Sequence, residues 1–196
     1  MSSPSPYHDH RIEFFRSYFD RGLPVAQYLE TGKAHEIENW ERYAKDIQLT
    51  AAQQNVTASF KRRMPVLVLS GIWCGDCQRQ GPMLAAIERA CPLIEMRYVE
   101  SRPNPELQDE LRINGAAKVP VVVAFSEDFY ELSRFGDRHL SVYRHKAETE
   151  LAAACDPGFG SPVAALAAEL DEWVRHFERL QLILRLSPLL RKRHGD

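Results

Sequence analysis

A chain of 196 residues, 44% hydrophobic and 27% charged, has ordinary globular composition and enough length to bury a core without covalent staples. A formal net charge of −2 speaks against general nucleic-acid binding, which calls for a basic domain, and no apolar run approaches the roughly 20 residues of a membrane helix. Four cysteines are too few for a secreted disulfide scaffold, and the polar opening Met1-Ser2-Ser3-Pro4-Ser5-Pro6 lacks the apolar stretch of a signal peptide, so a reducing cytoplasm is the expected compartment.

Residues 9–62 read as helical. Ile12, Phe15 and Phe19 share one helical face, Gly22-Leu23-Pro24 interrupts it, and Pro24 opens a short helix through Tyr28 that stops near Gly32. Ile37, Trp40, Ala44 and Ile47 mark a third amphipathic helix, and Thr50-Ala51-Ala52-Gln53 is a capping box before a fourth carrying Val56 and Phe60. Val66-Leu67-Val68-Leu69, opened by Pro65, is a short aliphatic run of the kind buried on both faces of a sheet. A helix over about 74–90, broken by Pro92, presents Met83, Leu84 and Ile87 on one side. A strand follows from Ile94 to Val99, and Pro103 and Pro105 open a helix running through Leu107 and Leu111 to Ile113. Strands at 121–126 and 129–135 form a hairpin around Ser126-Glu127-Asp128, and Tyr143 to Cys155 reads as an inserted helix. Asp156 to Pro162 is a turn with Ser161 as N-cap. The last helix buries Leu166, Leu170, Trp173, Phe177, Leu180 and Leu184.

The chemistry concentrates in Trp73-Cys74-Gly75-Asp76-Cys77, between the aliphatic strand and the helix. Cys74 then lies at a helix N-terminus, where unpaired backbone N–H groups and the helix dipole favour an anion, so its thiol is expected to ionise readily and act as nucleophile. Cys77 follows about one turn later, close enough to attack a mixed disulfide on Cys74 and pass a disulfide between molecules in two exchanges. The competing reading of C-x-x-C is half of a zinc site, which needs four ligands. Cys91 and Cys155 stand alone and the seven histidines form no spaced pair, so no metal is expected. Cys91 and Cys155 read as buried small residues. His8-Asp9-His10 reads as a solvated scrap at a loose terminus, and Arg191-Lys192-Arg193-His194 as a basic tail too short for a nucleic-acid site.

The pentapeptide resembles the active site of the thioredoxin superfamily, with Asp76 where thioredoxins usually carry proline. Pro82 stands at the family's helix-kinking proline. Asn114-Gly115-Ala116-Ala117-Lys118-Val119-Pro120 leads into Val121-Val122-Val123-Ala124-Phe125 as the family's cis-proline segment leads into its strand, and Gly136 falls at the family's terminal-strand glycine. The resemblance runs from about residue 50 to 182. It implies an α/β thioredoxin fold, here with a central four-stranded mixed sheet flanked by helices, because no family-type first strand is legible upstream. Residues 1–49 are then an N-terminal helical extension packed on the core, and residues 50–196 the thioredoxin-like domain with a long C-terminal helix.

The same resemblance implies a thiol–disulfide oxidoreductase with Cys74 and Cys77 catalytic and no cofactor. Trp73, Gly75 and Asp76 shape the site, and Val119 and Pro120 dock an extended substrate segment through backbone hydrogen bonds. The charge of Asp76 disfavours the Cys74 thiolate and so favours a reductase over an oxidase. Val68 occupies the position of the family's buried aspartate, so water or another carboxylate must move the proton of the second cysteine. The expected partners are a disulfide-bearing protein or small molecule and a thiol reductant or reductase, with neither nucleic acid nor membrane. The rival reading is a thioredoxin-fold binding or redox-sensing module whose aromatic-rich residues 12–43 recruit a partner.

Overall fold

The computed structural model describes residue 9, residues 11–151 and residues 162–195. The opening hexapeptide, His8, His10, Cys155 and the 156–161 turn with its expected Ser161 cap lie outside the described residues. Four strands, β1 (Met64–Ser70), β2 (Ile94–Glu100), β3 (Val121–Phe125) and β4 (Glu131–Gly136), form one mixed sheet in the order β2-β1-β3-β4. β1 and β2 run parallel, pairing Val68 with Tyr98 and Ser70 with Glu100. β3 is antiparallel to both β1 and β4, with a register shift at Ala124/Phe125. This is the four-stranded mixed sheet expected of a thioredoxin fold.

The helices are α1 (Ile12–Arg21), α2 (Val25–Leu29), α3 (Ala34–Asp46), α4 (Ala51–Ala58), α5 (Gly75–Ala90), α6 (Pro105–Glu110), α7 (Leu140–Leu151), α8 (Pro162–Leu186) and α9 (Pro188–His194). α4 starts on its capping box: Thr50 Oγ1 accepts from Gln53 N at 3.2 Å, while Gln53 Oε1 accepts from Thr50 N at 3.0 Å. Several strand bounds shift by one or two residues, and two helices differ from the sequence reading. α6 ends at Glu110, because Ile113 turns away to bridge Ala116. The inserted helix starts earlier, at Leu140. The last helix stops at Leu186, where Ser187 caps a separate α9 and Pro188 supplies its first residue; the basic tail is therefore helical, anchored by buried Leu190 and an Arg193–Asp128 ion pair.

Every residue of β1 is buried, because helices cover both faces of the sheet. On one face Val66, Val68, Val122 and Ala124 meet Trp40, Leu84, Ile87, Trp173 and Phe177 from α3, α5 and α8. On the other, Leu67, Leu69, Val121, Val123 and Phe125 meet Phe15 and Phe19 of α1 with Leu107 and Leu111 near α6. The approach of α3 to α5 is unusually close. A Cβ added at Gly81 would lie 1.8 Å from the Trp40 ring, so only glycine lets that indole lie on the α5 backbone. The β2 edge carries one further residue pair: Leu23 N donates to Tyr98 O at 2.9 Å and Tyr98 N to Leu23 O at 2.8 Å. That bridge fixes the α1–α2 junction beside the C-terminal end of β2. Among the described residues, no helix is long and apolar enough to cross a membrane.

Candidate active site

Cys74 is the N-cap of α5, with extended backbone (φ −89°, ψ 127°), and its carbonyl accepts from Gln78 N at 2.9 Å. The loop before it is closed by a Cys74 N–H to Gly71 O bond of 2.8 Å and by Gln78 Nε2 donating to Ile72 O at 2.8 Å. Gly71 has no room for a side chain, since a Cβ would lie 2.7 Å from the Trp73 ring. Gly75, by contrast, is exposed with open space above it, which leaves the approach to Cys74 clear. Cys74 is partly exposed and Cys77 buried behind it, both as free thiols.

The two sulfurs differ sharply in their preference for a proton. Hydrogen bonding from the Cys77 thiol, followed by the backbone N–H groups of Cys77 and Asp76, brings the Cys74 thiol down to about 6 against the opposing effect of burial. Burial first, and then the neighbouring Cys74 sulfur, pushes the Cys77 thiol up. The fold thus sets one partly exposed sulfur that ionises readily and one buried sulfur that holds its proton a turn apart. Cys91 lies buried at the C-cap of α5, away from the pair.

Val119 and Pro120 face this pair from the start of β3. Their peptide bond is cis, and Val119 O lies 3.8 Å from Cys74 Sγ. Gly136 backs the same segment, where a Cβ would lie 2.7 Å from Pro120 O. Trp73 is 40% exposed and is held at both ends: Nε1 donates to Glu100 Oε1 at 2.9 Å, and the Arg102 guanidinium sits 4.1 Å from the ring centroid. The structure therefore gathers Trp73, Cys74, Gly75, Asp76, Cys77, Val119 and Pro120 around one spot.

Asp76 is not the unopposed charge that the sequence reading supposed. Its carboxylate pairs with Arg79 at 2.9 Å and with Arg138 at 2.5 Å, and Arg79 continues to buried Glu169 at 3.0 Å. Asp76 still raises the Cys74 thiol, but it comes last among the influences on it, after the hydrogen bonds and burial. Burial outweighs the attraction of Arg79 and pushes the Glu169 carboxyl up to about 7.

Sequence reasoning missed a second carboxylate. Glu100, the last residue of β2, accepts from Ile72 N at 3.3 Å, from Trp73 Nε1 and from the Tyr28 hydroxyl at 3.5 Å. Tyr28 Oη also donates to Ser70 Oγ at 3.0 Å. One available signal was position: Ser70 and Glu100 end two parallel strands, and ligand sites of open α/β sheets lie at such carboxyl ends. Val68 is fully enclosed in apolar neighbours, as its aliphatic side chain requires. The polar residue of that sheet face is Ser70, two positions on, whose hydroxyl favours ionisation of the Cys77 thiol against its burial. Among the described residues, no group of three His, Cys, Asp or Glu side chains is arranged to hold a metal ion.

With this fold and site in view, comparison with known proteins assigns the family. The thioredoxin family model matches residues 22–148, about two thirds of the sequence, and the chain belongs to that family. Among solved structures, it is similar to a protein of unknown function from Pseudomonas aeruginosa, at 24% identity and a TM-score of 0.64, over 87% of this chain and 96% of that one. It is also similar to an HIV epitope-scaffold, at 24% identity and a TM-score of 0.60, over 85% and 92%. At that identity the likeness concerns the fold. No curated protein matches.

Proposed function

We propose that the protein is a thiol–disulfide oxidoreductase working in the reducing direction. The observation that carries this reading is the polarised sulfur pair: an accessible Cys74 thiol brought down to about 6 at a helix N-terminus, with buried, protonated Cys77 behind it. The Cys74 thiolate attacks one sulfur of a substrate disulfide, forming a mixed disulfide and expelling the first substrate thiolate, which takes a proton from water. Cys77 then loses its proton and attacks Cys74 Sγ. The Cys74–Cys77 disulfide forms and the second substrate thiolate leaves, so two electrons pass to the substrate. Val119 and Pro120 supply the strand edge on which an extended substrate would lie, and Trp73 the platform beside the reacting sulfur.

The direction follows from thiolate stability. Strong oxidases hold their nucleophilic thiol near a pKa of roughly 3.5 and thioredoxins near roughly 7; a Cys74 thiol at about 6 belongs nearer the second. The substrate is a disulfide-bearing protein or small molecule, a cellular thiol reductant restores the dithiol, and a reducing cytoplasm suits that cycle. Support for a partner-recruiting module weakens, because Phe15, Tyr18, Phe19, Tyr28 and Trp40 are all buried rather than displayed. The test is dithiothreitol-driven reduction of insulin: the protein accelerates it over many turnovers and Cys74→Ser does not. A rate equal to the uncatalysed reaction would reject the assignment.

A further inference from the structure

We propose that Ser70, Tyr28 and Glu100 form a proton relay that takes the proton from Cys77 as it resolves the mixed disulfide, and returns it when the Cys74–Cys77 disulfide is reduced again. The inference rests on the reductase reading above. Resolution requires Cys77 to lose a proton, yet the residue is 1% exposed, and Val68, an aliphatic side chain, can accept no proton. The Gly71 N–H donates to the Cys77 sulfur at 3.4 Å, and two other polar groups influence its ionisation: the Cys74 thiol, and the Ser70 hydroxyl on the sheet face it shares with Val68. An amide N–H cannot accept a proton, and the Cys74 sulfur is occupied in the mixed disulfide. The Ser70 hydroxyl is the remaining exit.

From Ser70 the path continues through groups already in contact. Tyr28 Oη lies 3.0 Å from Ser70 Oγ and 3.5 Å from Glu100 Oε2, so its single proton has an acceptor on either side. Tyr28 and Ser70 are buried, and the phenol is pinned by stacking on Tyr98 at 5.2 Å, which holds the hydroxyl between serine and carboxylate. Glu100 is partly exposed at the wall of an open cavity of about 420 Å3, where Arg21, Lys33, Glu36 and Arg102 also face, so a proton delivered there reaches solvent. Among the described residues no cation pairs with Glu100; its acceptor oxygens are met by the neutral donors of Tyr28, Ile72 and Trp73.

The transfer balances in one concerted shift. Before it, Cys77 holds S–H, Ser70 and Tyr28 their own O–H protons, and Glu100 is a carboxylate. The Cys77 proton moves to Ser70, the Ser70 proton to Tyr28 and the Tyr28 proton to Glu100, leaving a Cys77 thiolate that attacks Cys74 Sγ. Glu100 then releases the proton to water. The two hydroxyls end neutral, each with one proton, so neither a serine alkoxide nor a tyrosinate is required. The aspartate that the family buries near its second cysteine is replaced by hydroxyls leading to a carboxylate on the rim.

The experiment separates this step from the one before it. Reduced protein is mixed in a stopped-flow instrument with a bis(nitrobenzoate) disulfide. Attack by Cys74 releases one yellow thiolate in a first phase, and resolution by Cys77 releases another in a second. Tyr28→Phe, which keeps the stacked ring, and Ser70→Ala are each expected to slow the second phase at least about tenfold relative to the first. The wild-type second phase should slow in D2O with a curved dependence on deuterium fraction, as several protons move together, and that curvature should vanish in Tyr28→Phe. A second phase unchanged in both variants, or slowed only in proportion to the first, would overturn the relay. Absence of a fast first phase in the wild type would instead reject the reductase reading. Circular dichroism confirms folding, and either variant alone suffices if the other fails to fold.

Discussion

The reactive sulfurs are flanked by two carboxylates held in opposite ways. Asp76, on the α5 side, is clamped between Arg79 and Arg138, and Arg79 is shared with buried Glu169. Glu100, on the β2 side, meets neutral donors among the described residues: an indole N–H, a backbone N–H and a phenol. An acid matched by two guanidiniums is fixed in place by charge-assisted hydrogen bonds. An acid met by neutral donors can take up a proton without breaking an ion pair. The same functional group thus serves as a strut on one side and, in the relay proposed above, as a proton acceptor on the other.

Both flanks presuppose that the two sulfurs are unequal, and that is the largest effect to test. At about pH 7, iodoacetamide should modify Cys74 at least about 100-fold faster than Cys77 or Cys91, since thiolate is the reactive form and burial shields the other two. The Cys74 rate should rise with pH and level off above a midpoint of about 6, because deprotonation creates the nucleophile. Mass-spectrometric mapping of the labelled cysteines reads both quantities. Comparable labelling of Cys74 and Cys77 would erase the polarity on which either flank acts.

A smaller effect tests the clamp. Arg138→Gln removes one guanidinium while leaving Asp76 in place, so the carboxylate's charge acts on Cys74 with less opposition. The alkylation midpoint should then move upward by about half a unit to one unit, equivalent to about 0.7–1.4 kcal/mol. In an Asp76→Asn background the same substitution should no longer raise it. An unchanged midpoint in the single variant would mean that the clamp shapes the loop without tuning the thiol.

What could be read from the sequence divides along the same line. Thr50 with Gln53, Pro65 before an aliphatic run, and Cys74 opening a helix are local signals, each fixed by residues within a few positions of one another, and the structure contains all three features. The start of α9 was equally local, in Ser187-Pro188, but the basic run that follows reads as a tail. The flanks themselves were hidden by distance along the chain. Arg138 stands 62 residues from Asp76, and Glu100 stands 72 from Tyr28. Asp76 therefore read as a charge with no partner, and Tyr28 only as the end of a short helix. Val68 was legible as a departure from the family, but its consequence depended on the side chain two residues on, whose hydroxyl means nothing until Tyr28 is folded against it.

The smallest effect concerns the buried end of the clamp and appears in stability rather than reactivity. Burial pushes the Glu169 carboxyl up to about 7 despite Arg79, with Asp76 and Glu172 adding to the rise. Between its usual value of 4.5 and about 7, the folded protein therefore holds a proton there that the unfolded chain has released, and this group's contribution to stability falls as pH rises. His139 and His176 act in the opposite sense. Burial brings both down from 6.5 to about 4, so between those values the unfolded chain binds two protons that the folded protein does not, and stability rises with pH. Over the shared window from 4.5 to 6.5, Glu169 thus cancels part of the histidine effect. Glu169→Gln keeps an oxygen for Arg79 and cannot bind the proton, so the variant's stability should climb more steeply with pH than the wild type's. The difference in slope should approach, and not exceed, about 1.4 kcal/mol per pH unit, the value for one proton. Urea unfolding at about pH 5 and about pH 6 measures it. Parallel slopes would mean that Glu169 is already ionised at the lower pH, held by Arg79 as firmly as Asp76 is held by its two arginines.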